Sequence, residues 1–328
     1  MSQVKTAWQT ALINAVTQPD ELLRLLDLGP SWLDGARHAA TLFPLKVPHG
    51  FIRRMQKGNI HDPLLRQVLP IGAELLEIPG FTTDPLQETD NAIPGLLHKY
   101  QGRVLLTLTG TCAIHCRFCF RRHFPYSKNN PGTEGWKAAL NYIANDPTIT
   151  EVILSGGDPL SLSDAILDRF IQSLSAISHV KRLRFHSRLP IVLPERITPD
   201  LIQLLTKSRL SIVFVVHCNH PQEIDASVKS AMQNLSATNI TLLNQSVLLK
   251  GINDHADILT ELSESLFDMG VLPYYLHVLD KVQGTAHFDT PLDTAHLLHA
   301  QIAARLPGYL VPRLVREDPG APAKTLLR

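Results

Sequence analysis

Three of the four cysteines in this 328-residue chain lie within eight residues, as Cys112, Cys116 and Cys119. A tetrahedral zinc site would need a fourth ligand, which His115 or His123 could provide. A four-iron cluster is held by thiolates, and three of them would leave one iron open to bind another molecule. Buried structural cysteines that happen to cluster are the remaining interpretation. The spacing favours an iron–sulfur centre with an open iron.

Further polar residues occur where apolar, β-branched segments end. These segments, which we predict to be six strands, are RVLLTLT, EVILS, RLRFHS, SIVFVVH, ITLLNQSVLL and PYYLHVL. The polar groups are the cysteines, Ser155 to Asp158, His186 to Arg188, His217 to His220, Asn244 with Gln245, and His277 to Asp280. The carboxyl ends of parallel strands meet at one edge of a sheet. We therefore expect these side chains to share one rim.

The strands alternate with amphipathic segments that we predict to be helices. They are TEGWKAALNYIAN, LSDAILDRFIQSLSAI, TPDLIQLLTKS, HPQEIDASVKSAMQNL and HADILTELSESLFDMG. This alternation predicts a parallel sheet with helices outside it, either doubly wound or barrel-like. Residues 1–97 read as a helical N-terminal extension of short helices broken by proline, 98–308 as the barrel, and 309–328 as a C-terminal segment.

Charge and hydropathy limit the class of protein. Lys and Arg number 31 and Asp and Glu 30, so nothing indicates general binding to nucleic acid or to an anionic membrane. No run of eighteen apolar residues occurs, and the first ten residues lack the apolar core of a signal peptide. We expect a cytoplasmic protein, because a reducing compartment keeps clustered thiols free for metal.

The sequence CAIHCRFC has the CxxxCxxC spacing of the radical S-adenosylmethionine (SAM) enzymes, which it resembles. The sequence SGGD lies where that superfamily has a glycine-rich strand end near the SAM amino group. The resemblance implies an α/β fold, the radical SAM partial (β/α)6 TIM-like barrel. It also implies a [4Fe-4S] cluster on Cys112, Cys116 and Cys119. The residues that it places against SAM are Ser155, Gly156, Gly157 and Asp158.

Longer stretches, from about residue 19 to residue 324, resemble the lysine 2,3-aminomutases. They include DPLLRQVLP, PGLLHKY, CRFCFRRHFPY, SGGDPL, HSRLPIVLPERIT, TLLNQSVLL, PYYLHVLDKVQGTAHF and GYLVPRLVRE. Within that family the chain looks most like the short branch, the elongation factor P (R)-β-lysylation proteins. The family implies an isomerase that moves the amino group of L-lysine from C2 to C3 with SAM and pyridoxal 5′-phosphate (PLP).

The same resemblance implies which residues hold PLP. Lys324 matches the lysine that forms a Schiff base with PLP, in a loop that reads PGAPAK where the family is richer in glycine. Lys99, Tyr100 and Arg103 match the segment that contacts the PLP phosphate, although the family more often has arginine where Lys99 stands. Without the resemblance, these four residues would be interpreted as solvated charged or polar side chains.

The resemblance also implies how the substrate is held. Arg121 matches the clamp for the lysine carboxylate, and Asp280 and Glu317 match an acidic pair that faces the ε-ammonium. The family usually has Asp at the second of these acids. His217 and Gln245 match positions near SAM and PLP. The alternatives are a strand-end turn residue for Asp280 and an exposed surface acid for Glu317.

The resemblance implies the partners as well. They are L-lysine, an electron donor such as flavodoxin or ferredoxin, and elongation factor P with its lysyl-transferring ligase; a homo-oligomer stays open. The assignment to the short branch depends partly on the end at Arg328, without the longer C-terminal extension of catabolic enzymes. A catabolic or osmolyte-forming lysine 2,3-aminomutase and a non-catalytic metal-binding protein are the alternatives. Glutamate 2,3-aminomutase is disfavoured, because two acids would repel its side-chain carboxylate.

Overall fold

One nine-stranded sheet organises the described residues, which are 5–89, 93–129 and 132–327 of a computed structural model. The strands lie side by side in chain order. They are β1 (Leu96–Tyr100), β2 (Arg103–Thr107), β3 (Glu151–Ser155), β4 (Arg182–Ser187), β5 (Ser211–Val216), β6 (Thr241–Val247), β7 (Leu272–His277), β8 (Arg313–Arg316) and β9 (Thr325–Leu326). Strands β2 to β8 are parallel, whereas β1 and β9 pair antiparallel with β2 and β8.

Helices precede the sheet and connect its parallel strands. They are α1 (Ala7–Ile13), α2 (Pro19–Leu25), α3 (Leu33–Leu42), α4 (His49–Ile52), α5 (Pro63–Arg66), α6 (Tyr126–Asn129), α7 (Gly132–Asn145), α8 (Asp164–Ser175), α9 (Leu189–Val192), α10 (Pro199–Thr206), α11 (Ala226–Ser236), α12 (Ala256–Asp268) and α13 (Leu292–Arg305). None of the helices in the described ranges is both long and apolar enough to cross a lipid bilayer.

The core lies between the sheet and its outer helices. Strand β4 alternates buried Leu183 and Phe185 with less buried Arg184 and His186, as expected for a strand whose two faces have different surroundings. Phe185 stacks on Phe214 of β5, with 4.9 Å between the ring centroids. Helix α8 buries residues spaced three and four apart, so one face packs on the sheet. The apolar side chains of α1 to α5 join this same core.

The sheet curves into a partial barrel. Cys112 follows β2 and Asp280 follows β7, yet both line one cavity, together with Ser155 of β3 and His217 after β5. The predicted parallel α/β barrel is therefore confirmed, and its six strands correspond to β2 to β7. The structure adds β8 to the parallel set, and β1 crosses the predicted boundary between residues 97 and 98.

The edge strands β1 and β9 do not pair with each other. Side chains instead bridge the gap between β1 and the β8–β9 hairpin, which we call the seam. Tyr100 Oη donates a hydrogen bond to Glu317 Oε1 at 3.0 Å, and Lys99 Nζ lies 3.7 Å from the same oxygen. The seam therefore brings residues of β1 to the loop that follows β8.

Candidate active site

The cysteine loop, residues 112–119, faces a cavity at the carboxyl ends of the strands, which we call the site cavity. Cys112, Cys116 and Cys119 line it as free thiols. Burial raises the pKa of Cys112 far above that of an ordinary thiol and raises the pKa of Cys119 to about 11. Because the thiolate is the form that binds metal, a metal centre here would displace protons as it binds.

One buried arginine contacts the cysteine loop. Arg188 Nη1 donates to Cys116 Sγ at 2.7 Å, while Nη2 donates to Gln67 Oε1 at 2.6 Å and to Glu223 Oε2 at 3.0 Å. The two oxygens fix the guanidinium against the sulfur. A cation in this position stabilises a thiolate.

Two glycines allow residues 109–111, which lead into the cysteine loop, to lie against the end of β3. Gly157 N donates to Thr109 O at 2.9 Å, and Asp158 N donates to Thr111 O at 2.8 Å. A Cβ on Gly157 would lie 2.7 Å from both of those carbonyl oxygens, and Gly156 has a φ of +98°. Side chains at these positions would push the two loops apart. The sequence SGGD thus sets the position of the cysteines.

Residues that precede the sheet hold the cysteine loop from behind. Lys46 Nζ donates to Cys112 O at 2.9 Å. Glu74, which is buried, accepts from Arg117 Nε at 2.9 Å and from Arg122 Nη2 at 2.6 Å. Buried carboxylate–arginine contacts of this kind are strong because both partners are charged. The N-terminal extension therefore supports the site as well as the core.

The two histidines considered as zinc ligands face away from the thiols. His115 Nδ1 lies 2.8 Å from Pro44 O, and His123 Nε2 lies 3.1 Å from Gln283 O. Neither is among the described residues that line the site cavity. Within the described ranges, no three His, Cys, Asp or Glu side chains converge as ligands of a single metal ion.

The Asp158 carboxylate, which lines the site cavity, holds the turn after β4. It accepts from Ser187 Oγ at 2.7 Å, from Arg188 N at 2.9 Å and from Leu189 N at 3.0 Å. It also accepts from Leu160 N at 3.0 Å. Burial raises the pKa of Asp158, against these hydrogen bonds. Asp158 therefore orients Arg188, the partner of Cys116.

Three neutral polar side chains line the site cavity. Gln245 Nε2 and His217 Nε2 are 3.0 Å apart, and the His186 ring meets the His217 ring edge-on at 5.8 Å between centroids. Burial lowers the pKa of His217 to about 3 and lowers the pKa of His186 far below its usual value. In the described part of the chain, Gln245 Oε1 and His186 Nε2 are buried without a partner. Both atoms are thus available to a bound molecule.

Five charged residues form what we call the ion-pair chain, Arg121–Glu88–Lys99–Glu317–Lys324. Arg121 Nε donates to Glu88 Oε2 at 2.7 Å, and Lys99 Nζ donates to Glu88 Oε1 at 2.8 Å. Lys324 Nζ donates to Glu317 Oε2 at 2.5 Å. Together with the 3.7 Å contact across the seam, these bonds connect the predicted substrate clamp to the predicted PLP lysine.

The β8–β9 hairpin places Lys324. Arg316 pairs with Thr325 in the antiparallel register, and the Asp318 carboxylate accepts from Thr325 Oγ1 at 2.6 Å and from Arg316 Nε at 2.8 Å. These contacts close the loop that carries PGAPAK. Lys324 Nζ consequently lies 5.8 Å from the centre of the Tyr275 ring, on β7.

The remaining predicted residues adjoin this network. The Arg103 guanidinium carbon lies 4.6 Å from the centre of the Tyr100 ring, and Tyr100 contacts Glu317 at the seam. Asp280 lines both the site cavity and an open groove that Glu317 also lines. Burial and, to a lesser degree, the nearby Glu317 carboxylate raise the pKa of Asp280 to about 7. All the predicted site residues therefore gather in and beside one cavity.

The sequence did not single out Glu88, and it placed Arg188 and His186 only as residues at a strand end. The signal that could have identified Arg188 and His186 as site residues was their position at the end of the third predicted strand. Glu88 had no such signal, because it lies in a segment rich in proline and aspartate, within the predicted N-terminal extension. Only the folded structure shows that it bridges Arg121 and Lys99.

Comparisons with known proteins place the chain among enzymes. No model of a known protein family matches it. The L-lysine 2,3-aminomutase of Escherichia coli K12 is 52% identical over 98% of this chain and 94% of its own length. The enzyme of that name from Haemophilus influenzae is 50% identical over 97% and 95%. That from Clostridium subterminale is 35% identical over 97% of this chain and 77% of its own length.

Among solved structures, SuiB of Streptococcus suis bound to S-adenosylmethionine is similar, with a TM-score of 0.49 and 13% identity over 67% of this chain and 51% of SuiB. The family is assigned from the sequence identity to the aminomutases and from the share of the chain that it covers. The chain belongs to the L-lysine 2,3-aminomutases, a family of isomerases.

Proposed function

We propose that this chain is a PLP-dependent radical SAM aminomutase that converts L-lysine to β-lysine. One observation carries the proposal: a loop with three thiols and a hairpin with a lysine meet in one partial barrel, connected by the ion-pair chain. The same reaction is the one named for relatives that match nearly the whole chain.

The site cavity fits an iron–sulfur cluster and SAM. Cys112, Cys116 and Cys119 would hold the cluster, since they are its preferred ligand type and share one cavity. The SGGD turn would lie against SAM, and the unpartnered Gln245 Oε1, beside His217, suits a ligand that donates a hydrogen bond. When bound, these groups would supply the radical that removes a hydrogen atom from C3 of the substrate.

The residues around Lys324 fit PLP. Lys324 would hold its aldehyde carbon, and Lys99, Tyr100 and Arg103 would bind its phosphate with two cations and a hydroxyl. When bound, PLP would carry the migrating nitrogen. Glu317 keeps the Lys324 ammonium in position until then.

The substrate would be held at both ends. The Arg121 fork suits the lysine carboxylate, and Asp280, with Glu317 beside it, suits the distal ammonium. An ammonium that arrives at Asp280 would favour the ionised carboxylate and so lower its raised pKa. Arg121 is buried and Asp280 is partly buried, so water screens both contacts less than at the surface.

We further propose that the product is (R)-β-lysine and serves the β-lysylation of elongation factor P in the cytoplasm, with a flavodoxin or ferredoxin as electron donor. Resemblance to the short branch supports this role. The chain is 50–52% identical to the enzymes from Escherichia coli and Haemophilus influenzae and 35% identical to the clostridial enzyme. A catabolic or osmolyte-forming aminomutase is the second candidate, since those enzymes share the reaction.

Anaerobic turnover tests the proposal. Protein reconstituted with iron, sulfide and PLP is incubated with L-lysine, SAM and a reductant, and chiral chromatography resolves the products. We expect (R)-β-lysine from the wild type and none from Cys116→Ser. The (S) enantiomer would favour the second candidate, and absence of β-lysine would overturn the aminomutase assignment.

A further inference from the structure

Glu88 is a buried carboxylate held between two cations of different predicted roles. Its Oε2 accepts from Arg121 Nε at 2.7 Å and its Oε1 accepts from Lys99 Nζ at 2.8 Å. Glu88 and Arg121 are 4% and 6% exposed, so water screens their contact little.

The contacts to Arg121 determine which of its donors face the site cavity. A guanidinium has five N–H donors. Glu88 takes the one on Nε, and Ser155 Oγ accepts one from Nη1 at 3.1 Å. Among the described residues, the donors that remain without a partner are at the end of the fork, on Nη1 and Nη2, which is the arrangement that binds a carboxylate through both oxygens. Because Arg121 lines the site cavity, a carboxylate bound there could reach these donors.

The backbone around Glu88 is fixed at both of its ends. The Asp84 carboxylate accepts from Glu88 N at 3.0 Å and from Thr89 N at 3.2 Å, which closes the turn. Upstream, Thr82 N donates to Lys281 O at 3.0 Å, directly after Asp280. Residues 82–89 thus connect the ammonium end of the predicted substrate site to its carboxylate end.

We propose that Glu88 is a positioning residue that aims Arg121 at the substrate carboxylate. The inference rests on the proposed function, since it takes Arg121 as the carboxylate clamp. A glutamine cannot replace Glu88. Its amide oxygen could accept a hydrogen bond from either Arg121 or Lys99, but its amide nitrogen would then present an N–H donor to the other cation. Glu88→Gln should therefore release Arg121, Lys99 or both.

Binding of two ligands separates positioning from general stability. Cadaverine has the two amines of lysine but no carboxylate. Equilibrium dialysis with PLP-loaded protein gives the Kd of L-lysine and of cadaverine for the wild type and for Glu88→Gln. We expect L-lysine binding to weaken by about tenfold or more, as for loss of a charge-assisted contact, while cadaverine binding stays within about twofold.

Asp164→Asn is the matched control, because it removes the carboxylate from another ion pair of a buried arginine, 2.7 Å from Arg196 and outside the residues that line the site cavity. It should leave the ratio of the two Kd values unchanged. Equal weakening of both ligands by Glu88→Gln, or no change in the ratio, would overturn the positioning role. If the wild type turns over L-lysine, that failure leaves the proposed function intact; if it neither binds nor converts L-lysine, both fall.

Discussion

Lys324 and Glu317 form an ion pair across the β8–β9 hairpin, with 2.5 Å between Nζ and Oε2. The two residues are seven apart in sequence, and only the turn of the hairpin brings their side chains together. Both belong to the same short C-terminal segment. The hairpin thus delivers a lysine and its counter-ion as one unit.

Lys324 is expected to be the residue that PLP modifies. Borohydride reduction of PLP-loaded wild type, followed by peptide mass mapping, should find a phosphopyridoxyl label on Lys324. Lys324→Ala should lose this label and still retain iron and SAM binding, because neither the cysteine loop nor the SGGD turn depends on the hairpin. Lys281→Ala, which removes an exposed lysine, should keep the label. A label on Lys99, the other lysine of the ion-pair chain, would contradict the assignment.

The sequence predicted the sheet and the residues at its rim because these depend on local patterns. The apolar, β-branched segments predicted strands β2 to β7, and the polar residues after them include most of the residues that line the site cavity. β8 and α13 were not predicted, since β8 has only two buried residues and α13 carries apolar residues on more than one face. The pairing of Glu88 with Arg121 joins residues 33 apart through tertiary structure, which no local pattern encodes.

The three clustered cysteines should be distinguishable from the fourth. Cys116→Ser is expected to lose the cluster, since the hydroxyl is a poor ligand for iron, whereas Cys218→Ser should retain it. Cys218 is buried outside the residues that line the site cavity, and its Sγ lies 3.5 Å from His220 O, a contact that a serine hydroxyl can keep. Iron and sulfide content per chain is the measurement. Equal loss in both variants would make the three-cysteine assignment wrong.

Asp280 should give substrate binding a pH dependence. Its pKa is raised to about 7, so the carboxylate ionises as the pH rises through 7 and binds the lysine ammonium better above that value. Asp280→Asn should remove this pH dependence. It should also weaken the binding of L-lysine at pH 8 by about 1.5–3 kcal/mol, which raises Kd at least tenfold. Norleucine, which lacks the ε-ammonium of lysine, is the comparison ligand. A variant that still prefers lysine to norleucine as strongly as the wild type would exclude the role.

The same shift predicts the stability of the ligand-free protein. A carboxyl group with a folded pKa of about 7 and an unfolded pKa of about 3.9 binds its proton more tightly when folded. Its contribution to stability is therefore lost as the pH rises from about 4 to 7. In thermal unfolding, the midpoint temperature of Asp280→Asn should fall less over this pH interval than that of the wild type. Parallel curves for the two proteins would argue against the raised pKa.

Gly157→Ala should damage the cysteine loop. Its Cβ would lie 2.7 Å from the carbonyl oxygens of Thr109 and Thr111, which are backbone atoms and cannot swing away. Overpacking of this kind costs about 1–3 kcal/mol of unfolding free energy. Gly308→Ala is the matched control, because a Cβ there meets no atom within 4 Å. Chemical denaturation should show a lower free energy of unfolding for Gly157→Ala and little change for Gly308→Ala. The iron content per chain should be lower only in Gly157→Ala.

The seam joins its two edges through side chains, unlike the neighbouring strands within the sheet. Elsewhere, separating two neighbouring strands would break a ladder of backbone hydrogen bonds. Between β1 and the hairpin, it would break the Tyr100 contact to Glu317 and the 3.7 Å contact of Lys99. Each is a side-chain contact worth about 1 kcal/mol or less where partly exposed. Separation of the two edges at the seam would therefore leave every backbone ladder of the sheet intact.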